Sequence, residues 1–202
     1  MRGGGGWTNT LEDASGSLSF PLLESPSTVF NLLLGKDADL FLYDAPALGI
    51  DFRYYQSFPT PIPALFAELG GRVAAVADFA FGFDTSGISR FQQTGNALDV
   101  FDGFFVSDRA NADGTGRDVA EAYLRGSITA GAKVDFLIAE AGVRGGVFAD
   151  VDFNLHDQDG DGRVRAGEIA DSLALGPIHV FDVDGRVDAG LSAFLNVDLL
   201  LF

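Results

Sequence analysis

Cysteine is absent from the 202 residues, so no disulfide framework exists and the redox compartment stays open. Histidine occurs twice, as His156 and His179, and tryptophan once, as Trp7. Neither histidine stands in an H-E-x-x-H motif, and no G-x-S-x-G or phosphate-cradling glycine loop accompanies them, so the chain reads as non-enzymatic. Basic residues are scarce: 13 Lys+Arg face 29 Asp+Glu, for a net charge of −16. That balance excludes nucleic acid, whose affinity rests on neutralising phosphates, and speaks against anionic membrane surfaces. No apolar run reaches the roughly eighteen residues of a spanning helix. The start, Met1-Arg2-Gly3-Gly4-Gly5-Gly6-Trp7, has no apolar stretch of the kind a secretory leader needs.

One acidic segment is highly patterned. Asp157-Gln158-Asp159-Gly160-Asp161-Gly162-Arg163-Val164-Arg165-Ala166-Gly167-Glu168 matches the twelve-residue calcium loop at its ligand positions. A hard cation such as Ca²⁺ takes about six to eight oxygens. Asp157, Asp159 and Asp161 offer one each, Glu168 can offer two, and Arg163 contributes its backbone carbonyl. Gly162 takes the sharp turn, and Val164 is placed to plug the loop into a core. Arg165 cannot ligate, which predicts a water or an incomplete shell at its position. Without a cation, four carboxylates in one loop would repel each other.

A second acidic loop, residues 108–118, offers Asn111, Asp113, Thr115 and Gly116 at matching spacing, but Ala122 stands where the closing carboxylate belongs. Asp182-Val183-Asp184-Gly185 carries a hairpin-turn signal. Asp150 and Asp152 share a strand face and read as exposed carboxylates rather than a catalytic pair. Phenylalanine dominates the aromatics, 19 against one tryptophan, which favours core over sugar stacking.

Period-two alternation covers residues 72–83, 127–138, 143–155 and 186–202, with shorter strands expected at 39–43 and 50–55. Helices are expected at the run after Ser25-Pro26-Ser27-Thr28 and at 166–175. Phe58-Pro59-Thr60-Pro61-Ile62-Pro63 reads as a stiff elbow. The expected fold is all-β in the main: long antiparallel strands in a meander, as a two-layer sandwich or a curved, barrel-like sheet. Two short helices and one strand–loop–helix calcium unit complete it. Residues 1–17 are expected to be flexible and 18–202 to form one module, excised from a longer chain because 191–202 reads as a strand with no tail.

Several strings resemble a module of very large bacterial surface or secreted proteins, the planctomycete-type LEPR-XLL proteins. They are Leu40-Phe41-Leu42-Tyr43-Asp44, Phe58-Pro59, Ala77-Asp78-Phe79-Ala80-Phe81-Gly82-Phe83-Asp84-Thr85, Asp102-Gly103-Phe104-Phe105-Val106-Ser107-Asp108, and Ala149-Asp150-Val151-Asp152-Phe153-Asn154-Leu155. The resemblance spans residues 39–202. It implies an extracellular, calcium-rich setting and a structural or adhesive role, with no known reaction.

The resulting expectation is a calcium-stabilised structural, adhesive or assembly module at the cell surface, self-associating through sheet edges or neighbouring modules. One alternative is a lipid-binding or membrane-inserting β-barrel or curved sheet. Apolar residues on both faces of several strands favour a soluble core over it. A second alternative is a carbohydrate-binding module with a structural calcium.

Overall fold

The computed structural model describes residues 16–197 together with the backbone of 4–10. In chain order the strands are β1 (Gly4–Thr10), β2 (Ser17–Ser19), β3 (Asp39–Asp44), β4 (Leu48–Pro59), β5 (Leu65–Ala77) and β6 (Ala80–Asp84). They continue as β7 (Phe104–Ser107), β8 (Ala122–Phe136), β9 (Ala139–Leu155), β10 (Arg163–Arg165) and β11 (Phe181–Val197). The α-helices are α1 (Pro21–Glu24), α2 (Pro26–Leu33), α3 (Ser86–Thr94) and α4 (Ala166–Leu175), with 3₁₀ segments at Ala97–Gly103 and Pro177–Val180.

Two antiparallel sheets result. The larger has the order β1-β4-β5-β8-β9-β11 and the smaller β10-β7-β6-β3-β2. The long strands form where polar and apolar residues alternate, because only an extended chain sends neighbouring side chains to opposite faces. Their register sorts those faces. Ile50, Ala75, Leu124, Val151 and Gly185 stand abreast, and so do Phe52, Val73, Gly126, Ala149 and Val187. The row between them is Asp51, Ala74, Arg125, Asp150 and Arg186. One face of the large sheet is therefore apolar along its whole length and the other polar.

The polar face is knitted by ion pairs. Glu68, 5 % exposed, receives Arg144 at 2.7 Å and the Tyr55 hydroxyl, while Lys133 sits 3.8 Å from it and 3.0 Å from Glu140. Asp51 accepts from Arg53 and Arg72.

The apolar core lies in the smaller sheet and its junction with the larger one. Val106, Leu155 and Val164 pack with Phe79, Phe81, Phe104, Ile169, Val180 and Phe181, and Phe105 is fully buried. Gly82 is required there, since a Cβ would lie 2.2 Å from the Phe105 ring.

Several expectations need correction. The fold is mixed rather than nearly all-β, with four α-helices instead of two among the described residues. The large sheet is not curled into a closed barrel: among the described strands β1 and β11 are its free edges. The expected strand 72–83 is two strands in different sheets, parted at Asp78 and Phe79. The proline elbow begins later, because β4 runs through Phe58 and Pro59. Asp182–Gly185 lies inside β11 and makes no turn, because pairing with β9 continues through it. Within the segment expected to be flexible, residues 4–10 form β1 against β4; residues 1–3 and 11–15, and the expected strand end at 198–202, lie outside the described residues.

Candidate metal site

The twelve-residue loop lies at a crossing between the sheets. It leaves β9 after Leu155, which is 4 % exposed, and re-enters structure as β10, whose Val164 is 1 % exposed and pairs with Val106. These two buried side chains pin both ends of the turn. Gly160 (φ 74°) and Gly162 (φ 85°) supply the left-handed backbone that folds it.

The folded loop orients its carboxylates through its own N–H groups. Asp157 accepts from Gly160 at 2.9 Å and from Gly162 at 2.7 Å. Asp159 accepts from the N–H of Asp161 at 3.1 Å, and Asp161 from that of Arg163 at 2.7 Å. As a result, one carboxylate oxygen from each of Asp157, Asp159 and Asp161 lies within 4.8 Å of the others. This trio could coordinate a metal ion.

Glu168 sits across the loop, accepting from Gln158 N–H at 3.3 Å and from Arg165 N–H at 2.8 Å. It thus also caps the start of α4. Burial pushes the carboxyls of Asp161 and Glu168 above their ordinary range, and the neighbouring charges of Asp159 and Asp157 add to the rise. A cation in the loop would relieve that repulsion.

The arginines at loop positions 7 and 9 have a role the sequence did not reveal. The Arg163 side chain reaches Asp39 at 2.7 Å and Asp84 at 2.9 Å, and its guanidinium lies 4.4 Å from the Phe105 ring centre. Arg165 also reaches Asp84 at 2.9 Å and the Asp102 carbonyl at 2.9 Å. Two arginines flanking one apolar residue in a short strand are the available sequence signal: they share a face and need acidic partners there.

The second acidic loop is closed by hydrogen bonds among its own residues. Asp113 accepts from Thr115 N–H at 2.9 Å and from its hydroxyl at 2.6 Å, and the Asn111 amide donates to that hydroxyl at 3.0 Å. The loop docks onto the first one. Asp108 N–H donates to the Gly162 carbonyl at 3.1 Å, and Arg163 donates to the Asp113 carbonyl at 2.6 Å. A Cβ on Gly162 would lie 2.2 Å from the Gly114 carbonyl oxygen. His156 is engaged by Asp182 at 3.0 Å, which raises its pKa. His179 falls in the second 3₁₀ segment. Asp150 is paired with Arg125 and Arg186.

Compared with known proteins, the chain matches no family model, no curated protein and no solved structure.

Proposed function

We propose that the chain is a calcium-stabilised structural and assembly module of a large extracellular bacterial protein, without catalytic activity. The observation that carries the reading is the clustering of Asp157, Asp159 and Asp161 within 4.8 Å, at a point where the chain passes from one sheet to the other. The donors are hard oxygens on one twelve-residue loop, a set that suits Ca²⁺ better than the nitrogen- and sulfur-preferring transition metals. An ion there would fix how β9 is tied to β10, and through Arg163 and Arg165 would brace the smaller sheet. An extracellular setting supplies millimolar calcium, enough for modules with Kd of about 10⁻⁴–10⁻³ M. The resemblance to LEPR-XLL proteins supports that setting. Calorimetric calcium titration with thermal melts in calcium and in chelator tests the reading. Binding and a calcium-dependent rise in melting temperature are expected; no heat and no shift would leave an acidic turn.

A second reading concerns the large sheet. Its apolar face is exposed: Ile128 is 69 % exposed, Val187 72 %, Leu191 83 % and Leu195 69 %. With Val73, Leu124, Val143 and Val147 it forms an exposed apolar patch of the kind that marks an interaction or membrane surface. The opposite face holds the buried Glu68 with its partners Arg144 and Lys133. Apolar residues outward, paired charges on the other face, and strands of 12–17 residues match a lipid-facing sheet, whose strands need about 9–11 residues to span hydrocarbon. The occupant we propose for this face is lipid hydrocarbon, with strand edges paired between copies because unpaired edges are not tolerated there. Among the described residues no helix is long and apolar enough to cross a membrane. Co-flotation with phosphatidylcholine vesicles, abolished by Ile128→Lys with Leu191→Lys, is expected. A wild-type chain left wholly in the aqueous fraction would remove this reading.

A further inference from the structure

Beside the calcium loop, three buried acceptor oxygens have no hydrogen-bond donor among the described residues: Asp108 Oδ1, Glu121 Oε1 and Asn154 Oδ1. Asp108 and Glu121 are each 3 % exposed. Buried polar atoms are nearly always satisfied, so three of one polarity in one neighbourhood call for a ligand that accepts electron pairs.

The neighbourhood is tied together by specific bonds. The other Glu121 oxygen accepts from Leu155 N–H at 2.6 Å, next in the chain to Asn154. The Asn154 amide donates to Asp118 at 2.7 Å, which leaves its carbonyl oxygen free. Asp118 is bridged to Arg109, which follows Asp108. Asp108 itself donates its N–H to the Gly162 carbonyl of the calcium loop. Burial above all, with the charges of Asp118 and Asp157 acting on Asp108 and those of Asp108 and Asp118 acting on Glu121, pushes both carboxyls up to about 7. Arg109 is the cation beside Asp108, and its Nε is likewise buried without an acceptor. A cavity of ≈ 70 Å³ adjoins Glu121, lined also by Asp44, Asp78, Ser107 and Arg109, and has room for water beside that carboxylate.

We propose that Asp108, Glu121 and Asn154 form a second divalent-cation site, beside the twelve-residue loop. Two carboxylates and an amide carbonyl are a hard-oxygen set of the kind Ca²⁺ takes. The three come from the end of β7, the approach to β8 and the end of β9, so no local spacing announces them. The inference deepens the calcium reading and rests on it for the identity of the ion. It also gives the docked loop 108–118 a purpose that its own Asn111–Thr115 turn does not.

The experiment is an ion count on the full chain, by native mass spectrometry and calorimetric titration with Ca²⁺. Asp108→Asn, Glu121→Gln and the loop variant Asp157→Ala/Glu168→Ala are compared with wild type. Two ions are expected for wild type and one for each variant, with Glu121→Gln keeping the loop's ion. In chelator, Asp108→Asn and Glu121→Gln should melt no lower than wild type, since each removes a buried charge. One wild-type ion that disappears in the loop variant would overturn this site and leave the loop reading standing. One ion that survives in the loop variant but is lost in Glu121→Gln would support this site and overturn the loop reading. Full stoichiometry in both Asp108→Asn and Glu121→Gln would overturn the site. Should either variant fail to fold, the wild-type count decides.

Discussion

Removing the Asp84 carboxylate should detach the calcium loop from the smaller sheet. Asp84 closes β6, is 1 % exposed, and accepts from Arg163 and Arg165 at 2.9 Å each and from Ser86 N–H at 3.0 Å. Burial alone would raise its pKa, but Arg165 and Ser86 hold it below the usual carboxylate range. Breaking a buried pair by deleting one partner costs about 3–5 kcal/mol. Here the arginines keep other contacts, Arg163 with Asp39 at 2.7 Å and Arg165 with the Asp102 carbonyl at 2.9 Å. The low end, about 3 kcal/mol, is therefore expected for Asp84→Ala. At about 2–4 °C per kcal/mol for a chain of this size, the melting temperature should fall by roughly 6–12 °C. Asp51→Asn is the control: it removes a carboxylate that also binds two arginines, but these are 67 % and 47 % exposed and screened by water, so little change is expected. Calcium affinity should fall in Asp84→Ala and not in Asp51→Asn, because both arginine partners of Asp84 are residues of the loop. Equal melting temperatures for the two variants, or unchanged calcium affinity in Asp84→Ala, would refute the reasoning.

In the loop itself, Asp157→Ala with Glu168→Ala should abolish the calcium-dependent stabilisation, which is about 1.4 kcal/mol at a tenfold excess over Kd; melts with and without calcium read it directly. Gly162→Ala should cost well above the roughly 1 kcal/mol expected of a left-handed position alone, since its Cβ would strike the Gly114 carbonyl, whereas Gly160→Ala meets nothing within 4 Å. Denaturant titrations of the two would separate strain from collision. On the polar face, burial works to raise the Glu68 pKa, but Arg144 and Tyr55 hold it below 4.5. A depressed carboxylate contributes stability that is present above the unfolded pKa and lost as pH falls through the folded one. Stability should therefore fall on acidification below about pH 4.5, and Glu68→Gln should flatten that limb in urea melts across pH.

Much of this was legible in the residues, for identifiable reasons. The strands at 122–136 and 139–155 announce themselves because alternation is a local property of an extended chain. The calcium loop is legible because its ligands lie within twelve consecutive positions. What escaped depends on partners distant in sequence. Alternation passes through Asp78 and Phe79 unbroken although the chain changes sheets there, because parity does not record which sheet a strand joins. The apolar face was obscured by glycines and alanines that look apolar on either side; only the cross-strand register sorted them. Asp184-Gly185 looked like a turn, yet ladder pairing with Val151 and Asp152 overrides that local preference. The pairing of Arg163 with Asp39 spans 124 positions and has no local trace.

The chain visits the two sheets alternately: β1 in the larger, β2 and β3 in the smaller, β4 and β5 in the larger, β6 and β7 in the smaller, β8 and β9 in the larger, then β10 and finally β11. Neither sheet is a continuous stretch of sequence: strands of the other interrupt each of them. Closing them requires many loops to shut before distant pairings repay the lost entropy, which makes folding slow. The interleaving also makes the two sheets melt together rather than in turn. A cation bound at the crossing from β9 to β10 would act late in folding, slowing the loss of the native state more than it speeds its formation.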